Sequence, residues 1–111
     1  MAAITSRLEL IQSKGGVNAR EVAVLLGTTP ETVSRWRNGK TDPQPDNLEF
    51  ILHLEYLIGE LAEFYPPEEA HLWLFAPHKQ LSGERPADLI KRAEFEPVLT
   101  IIGQLKDGAF V

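Results

Sequence analysis

The chain has 111 residues, of which 43% are hydrophobic and 24% charged, and this is enough for a small globular unit with a buried core. It contains no cysteine, which excludes disulfides, thiolate zinc sites and cysteine nucleophiles. The N-terminal residues lack the charged and apolar regions of a signal peptide, and no stretch approaches the roughly 20 apolar residues of a membrane helix. We therefore expect a soluble, cytoplasmic protein without a membrane partner.

The net charge of −5 argues at first against a nucleic-acid partner. However, residues 1–58 hold six Lys/Arg against seven Asp/Glu, whereas residues 59–111 hold five against nine. Three of the basic residues fall between Arg35 and Lys40. Such a patch can bind phosphates locally, because salt limits the reach of distant charges to about 8 Å. The acidic second half is either a surface for a basic protein or a solvated face.

Apolar residues recur at helical spacing along the whole chain, and no alternating strand pattern appears, so we predict an all-α fold. The first helix carries Ile4, Leu8 and Ile11 on one face and ends at Gly15-Gly16.

Capping residues define the next two helices. Asn18 begins the second helix, with Glu21 as the partner in a capping box, and Gly27 ends it. Thr29 caps a third helix, which closes at Gly39.

The turn-rich segment Lys40–Pro45 leads into a long fourth helix over residues 46–65, which ends at Pro66-Pro67. Apolar residues cover more of its circumference than one small core can bury, so we expect a homodimer or toxin interface on it. Shorter helices follow at Pro67–Phe75 and Pro86–Arg92, and a last one runs from Glu94 to Asp107. We predict a head (1–45), a connecting or dimerisation helix (46–65) and a helical C-terminal module (66–111).

Residues 19–39 have the spacing of a helix–turn–helix. Ala23 is the small residue needed where the two helices cross, Gly27 supplies the turn, and Val33 and Trp36 supply the buried face of the second helix. Polar side chains then face outward, where they can read base edges and bind phosphates. The predicted DNA-binding residues are Arg20, Glu31, Thr32, Ser34, Arg35, Arg37, Asn38 and Lys40.

This motif resembles the Xre/Cro-like helix–turn–helix, above all in its ending, Ser34 to Gly39. Ala19 replaces the Gln that often contacts phosphate in this family, and Thr28 replaces a branched apolar residue after the turn glycine. We expect binding to operator DNA as a homodimer on two half-sites, because a single head buries little surface.

The remainder of the chain resembles the Xre-MbcA-ParS toxin-binding domain of MbcA-like antitoxins, which belong to the Xre–RES toxin–antitoxin class. Ala93 stands where this family usually has glycine before an acidic residue. The matching residues are Trp73-Leu74, Pro77-His78, Leu81, Gly83, Arg85-Pro86, Asp88-Leu89-Ile90, Glu94, Val98-Leu99 and Asp107-Gly108-Ala109-Phe110-Val111.

The resemblance implies an antitoxin that binds a RES-domain, NAD-consuming toxin and whose complex with the toxin represses its own operon. The homodimer would then be part of a larger hetero-oligomer with the toxin. We hypothesise that Phe110, Val111 and the terminal carboxylate enter the NAD-binding cleft of the toxin. Alternatively, Phe110 folds back onto the last helix as a hydrophobic cap.

Other residues of the C-terminal module are open to two interpretations. Trp73 is a core or an interface residue, Arg85 is an interface or a surface residue, and His78 caps a helix or packs in a turn. The predicted toxin-binding residues are Trp73, His78, Arg85, Asp107, Gly108, Ala109, Phe110 and Val111.

No pattern of residues indicates an enzyme. The three histidines lack metal-ligand spacing, and the paired acidic residues are typical of helix starts, so we expect no catalytic residue, metal or cofactor. The competing functional interpretation is a stand-alone helix–turn–helix transcriptional regulator without a toxin partner.

Overall fold

A computed structural model describes residues 3–108, and within them it contains helices and turns but no β-strand. The all-α prediction is confirmed. None of the helices in this range is long and apolar enough to cross a lipid bilayer. The helices are α1 (Ala3–Gly15), α2 (Ala19–Leu26), α3 (Pro30–Arg37), α4 (Pro45–Leu61), α5 (Pro67–Phe75), α6 (Pro86–Lys91) and α7 (Phe95–Lys106), with a 3-10 turn at Lys79–Leu81.

The predicted caps of α2 and α3 are present. The Asn18 side chain accepts a hydrogen bond of 2.8 Å from the Glu21 backbone N–H, and the Glu21 carboxylate accepts one of 3.1 Å from the Asn18 backbone. The Thr29 hydroxyl accepts from the backbone N–H of Thr32 at 3.2 Å. Each bond satisfies a donor that the first turn of a helix leaves without a partner.

The fourth helix is shorter than predicted, because it ends at Leu61 instead of residue 65. Residues 62–64 form a tighter turn, in which the Phe64 backbone N–H donates to the carbonyl of Leu61 at 3.0 Å. Tyr65 precedes Pro66, and the proline ring disfavours a helical conformation in the residue before it.

One hydrophobic cluster contains buried side chains from every helix of the described chain. Helix α1 packs against α3, α4 and α5, while α2 packs against α6, and α4 and α6 pack against α7. The helix–turn–helix and the C-terminal module thus share one core. The division at residues 45 and 65 stays a prediction, and the shared core holds the functional surfaces of all three parts in a fixed arrangement.

Candidate functional surfaces

The helix–turn–helix has the interior that its spacing predicts. Ala23 is buried where α2 meets α3, and Val33 and Trp36 are buried beneath α3. Gly27 has a φ of +77°, in the left-handed region that favours glycine. The Thr28 backbone N–H donates to the Ala23 carbonyl at 2.9 Å, which closes the C-terminus of α2.

The outer face of α3 is polar and open. Five of the eight predicted DNA-binding residues lie together there, with Pro30, around a shallow groove of about 450 Å³. These residues are exposed and combine two cations, one carboxylate, a hydroxyl and an amide, which are groups that contact phosphates and base edges. They are Glu31, Ser34, Arg35, Asn38 and Lys40.

The other three predicted residues lie outside this groove. The Thr32 hydroxyl shares a hydrogen bond of 2.9 Å with Thr29, so it belongs to the N-terminal cap of α3. Arg37 is half-buried, and its carbonyl accepts a bond of 2.8 Å from the Thr5 hydroxyl, which ties α3 to α1. Arg20 is exposed in the first turn of α2.

The two departures from the Xre/Cro-like pattern have structural consequences. Ala19 is partly buried and packs against the core, so its side chain supplies apolar contact where glutamine would offer an amide. Thr28 is half-buried just after the turn glycine. Sequence reasoning did not include Pro30 among the groove residues, although its position at the first turn of α3 could have indicated it.

In the C-terminal module, Trp73 and His78 form an aromatic pair whose ring planes are inclined at 53°. Their ring centroids are 4.7 Å apart, and His78 Nε2 donates a hydrogen bond of 2.9 Å to the Trp73 carbonyl. Both residues are half-buried, and Trp73 packs against the core. This pair closes the turn after α5, which agrees with the turn-packing interpretation of His78, and it leaves part of the indole at the surface.

Arg85 is paired within the chain. Its Nε and Nη2 donate to the two carboxylate oxygens of Asp88 at 3.1 and 2.8 Å, and its backbone N–H donates to the same carboxylate at 3.1 Å. These bonds, the side-chain ones foremost, lower the pKa of Asp88 to about 2. The guanidinium therefore holds the start of α6, and part of it remains accessible to a partner.

Helix α7 ends next to the segment predicted to bind the toxin. Lys106 pairs with Glu60 of α4 at 2.5 Å, which fixes the last turn of α7 against α4 and raises the pKa of Lys106. Asp107 caps the helix, and Gly108 follows in a left-handed conformation with a φ of +69°. Both are exposed. Ala109, Phe110 and Val111 lie outside the described residues.

A side-chain hydrogen bond joins the helix–turn–helix to the C-terminal module. His71 of α5 donates to the Glu21 carboxylate of α2 at 2.7 Å, and Glu21 is also the capping-box residue of α2. Nearby, Gly16 approaches α5 so closely that a Cβ atom there would lie 2.8 Å from the Pro67 carbonyl oxygen. Sequence reasoning did not find this junction, because a contact 50 residues apart has no local signal.

Some apolar side chains of α4 are exposed to solvent, as expected for a helix with apolar residues around most of its circumference. Ile51, Leu54, Leu57, Ile58 and Leu61 are buried, whereas others remain in contact with solvent. The most exposed aromatic side chain on α4 is Tyr56, at 60% of its surface, and sequence reasoning missed it. Its spacing of four and eight residues from Leu52 and Leu48 could have indicated it. Within residues 3–108, no group of three or more His, Asp or Glu side chains is placed to hold a metal ion.

Comparison with known proteins places this arrangement in a family. The Helix-turn-helix family matches residues 9–54. The mycobacterial cidal antitoxin MbcA of Mycobacterium tuberculosis, and likewise that of Mycobacterium bovis, is 34% identical over 96 residues, which cover 86% of this chain and 85% of the relative. A probable mycobacterial cidal antitoxin of M. tuberculosis is 30% identical, over 86% of this chain and 82% of its own length.

A solved structure agrees with these relatives. A chain in the crystal structure of the M. tuberculosis MbcT–MbcA toxin–antitoxin complex matches this protein with a TM-score of 0.87 and 31% identity, and the match covers 100% of both chains. The similarity thus extends through both the helix–turn–helix and the C-terminal module. On these grounds, the chain belongs to the family of MbcA-like antitoxins.

Proposed function

We propose that this protein is the antitoxin of a RES-domain, NAD-consuming toxin, which it binds and neutralises by direct contact. The observation that carries this proposal is the full-length similarity to a chain that was crystallised within a toxin–antitoxin complex. The family resemblance supplies the class of toxin. The apolar and acidic surfaces of the C-terminal module are compatible with a protein partner.

In the proposed mechanism, the segment after Asp107 enters the NAD-binding cleft of the toxin. Two features support it: the Lys106–Glu60 ion pair anchors the end of α7, and Gly108 redirects the exposed backbone just beyond that anchor. The segment then offers Phe110 and Val111 as apolar groups for a cleft. The Trp73–His78 ring contact and the Arg85–Asp88 pair act mainly as the frame that positions α6 and α7.

The groove on α3 is proposed to bind operator DNA, so that the protein represses its own operon as a homodimer. Arg35 and Lys40 would bind phosphates or base acceptors, while Glu31, Ser34 and Asn38 would contact base edges. The groove is a local cationic patch on a chain whose net charge is −5, and that overall negative charge limits non-specific binding to DNA.

Co-expression with the RES-domain protein from the neighbouring reading frame tests the toxin proposal. The full chain should restore growth and co-purify with the toxin, whereas a chain ending at Asp107 should fold with the same helical circular dichroism and fail to protect. Equal protection by the shortened chain would contradict insertion of the segment. If no RES-domain protein co-purifies with the full chain, the stand-alone regulator is favoured instead.

Arg35→Ala tests the DNA proposal. The affinity of this variant for a fragment of its own promoter should fall roughly tenfold. The slope of log K against the logarithm of the salt concentration should become less negative by about one. Lys79→Ala is the matched control, because it removes an exposed cation outside the groove and should leave DNA affinity unchanged. Equal effects of the two substitutions would contradict a specific role for α3.

A further inference from the structure

The outward face of α4 presents a ridge of apolar side chains to solvent. Leu48, Leu52 and Tyr56 recur every four residues along it, and Leu48 and Leu52 are 37% and 38% exposed. Tyr56 is the most exposed of the three side chains, at 60%. A monomer gains nothing from an aromatic ring in water at this position, so the ridge has the composition of an interface.

A groove lies on each side of this ridge, and Tyr56 borders both. The groove towards α1 has a volume of about 460 Å³ and is lined in part by Leu10, Arg7 and Lys14. The groove towards α7 has a volume of about 260 Å³ and is mainly apolar, with His53, Phe95, Leu99 and Glu96 among its walls. The face therefore combines the exposed ring of Tyr56 with a mainly apolar groove, between α4 and α7, that can receive an aromatic ring.

The charges at the two edges of this face have opposite signs. In the groove towards α1, Arg7 is paired with Glu55, and Glu60 is paired with Lys106, which leaves Lys14 as the remaining cation among the residues that line it. Glu96 lies at the α7 edge. A two-fold axis parallel to α4 would place the α1 edge of one copy against the α7 edge of the other. Lys14 would then face the acidic Glu96 at both ends of the interface, as electrostatic complementarity requires.

We propose that this face is the homodimer interface, in which Tyr56 of each copy enters the α4/α7 groove of the other copy. The walls of Phe95 and Leu99 would enclose the ring, and His53 and Glu96 are the polar groups available to its hydroxyl. The proposal rests on the homodimer included in the proposed function and names its surface. The occupant is a second copy, because the same face supplies both the ring and the hollow, and both signs of charge.

The mass of the purified full-length protein, measured by light scattering over a range of concentrations without toxin or DNA, tests this proposal. The wild-type protein should be a dimer, and Tyr56→Glu should raise the dimer dissociation constant by roughly 30-fold or more, as expected for a central aromatic anchor. Leu72→Glu is the control, because Leu72 of α5 is 67% exposed and lies outside the face. It should remain dimeric.

A charge exchange tests the predicted orientation. Lys14→Glu and Glu96→Lys should each weaken the dimer, because each places like charges against one another across the two-fold axis. The double variant restores opposite charges at both edges and should recover most of the wild-type affinity. Both side chains are exposed, so neither change threatens the fold. A double variant weaker than both single variants would overturn the proposed arrangement.

The toxin assay keeps this inference separate from the antitoxin proposal. A monomeric Tyr56→Glu protein that still protects cells from the toxin supports the dimer surface. A wild-type protein that is monomeric at every concentration tested overturns it. A variant that keeps its dimeric mass but no longer binds toxin overturns it as well, and would assign the α4 face to the toxin.

Discussion

At the scale of single residues, Ala93 has a backbone conformation that its side chain disfavours. Its φ is +61°, and it follows α6 in a hydrogen-bonded C-terminal motif: its backbone N–H donates to the Ile90 carbonyl at 2.8 Å, and that of Glu94 donates to the Leu89 carbonyl at 2.9 Å. The family that the sequence resembles usually has glycine at this position, and glycine adopts a positive φ without this cost.

Replacing this alanine tests the cost of the conformation. Ala93→Gly should increase the free energy of unfolding by about 1 kcal/mol, because glycine adopts positive φ without a Cβ clash. Urea unfolding followed by circular dichroism measures it. Ala62→Gly, at a φ of −67°, is the control and should destabilise the protein instead. A loss of stability in both variants would contradict the strain at Ala93.

The Arg85–Asp88 pair predicts a specific dependence of stability on pH. The pKa of Asp88 falls from 3.8 to about 2 on folding, so the folded state favours the ionised carboxylate. Its contribution to stability is therefore present above pH 4 and is lost as the pH falls towards 2. Asp88→Asn should lower the thermal midpoint at pH 7, and the difference from the wild type should shrink between pH 4 and 2. A difference that stays constant over this range would rule out the ionised pair as its source.

At the scale of elements, the beginnings and ends of the helices could be predicted only where a residue of the same turn determines them. The beginnings of α2 and α3 were predictable from Asn18 and Thr29, because a cap acts through hydrogen bonds within one turn. The end of α4 at Leu61 and the 3-10 turn at Lys79–Leu81 were not predicted. The helix ends four residues before Tyr65, the one residue that Pro66 restricts directly. The 3-10 turn depends on a backbone bond of 2.9 Å from Gly83 to the His78 carbonyl, for which the residue types alone are a weak signal.

The junction between the α1–α2 turn and α5 depends on Gly16. Its φ is +67°, and an added Cβ would lie 2.8 Å from the Pro67 carbonyl oxygen, so Gly16→Ala combines backbone strain with a steric clash. We expect it to lower the free energy of unfolding by more than about 2 kcal/mol. Chemical denaturation provides the measurement.

Gly83→Ala is the matched control for this substitution. Gly83 has a φ of +86°, but nothing lies within 4 Å of an added Cβ, so only the backbone cost of about 1 kcal/mol applies. Similar losses in the two variants would show that the approach of α5 to Gly16 does not constrain the junction.

At the scale of the whole molecule, the shared core predicts cooperative unfolding. Trp36 is buried in the helix–turn–helix and Trp73 packs against the core from α5, so each is a fluorescent reporter for its own part of the chain. Trp73→Phe and Trp36→Phe each leave one tryptophan. In each variant, the midpoint of unfolding measured by tryptophan fluorescence should coincide with the midpoint measured by the loss of helical circular dichroism. Two separated transitions in either variant would indicate that the head and the module unfold independently.

The candidate surfaces were predictable to different degrees for the same physical reason. The polar face of α3 follows from helical periodicity, so Glu31, Ser34 and Arg35 could be assigned before the structure was known. The His71–Glu21 junction and the hollow beside Tyr56 require knowing which helices pack together. Periodicity identifies the faces of a single helix, whereas a groove is formed by two helices and cannot be found from the pattern of either one alone.

We propose that this protein silences a toxin through the residues after Asp107. The most direct test uses the RES-domain protein that we expect the neighbouring reading frame to encode: its rate of NAD consumption is measured while the antitoxin is titrated in. The full chain should abolish NAD consumption near one antitoxin per toxin active site, and a folded chain ending at Asp107 should leave the rate nearly unchanged. Complete inhibition by the shortened chain, or none by the full chain, would contradict the account.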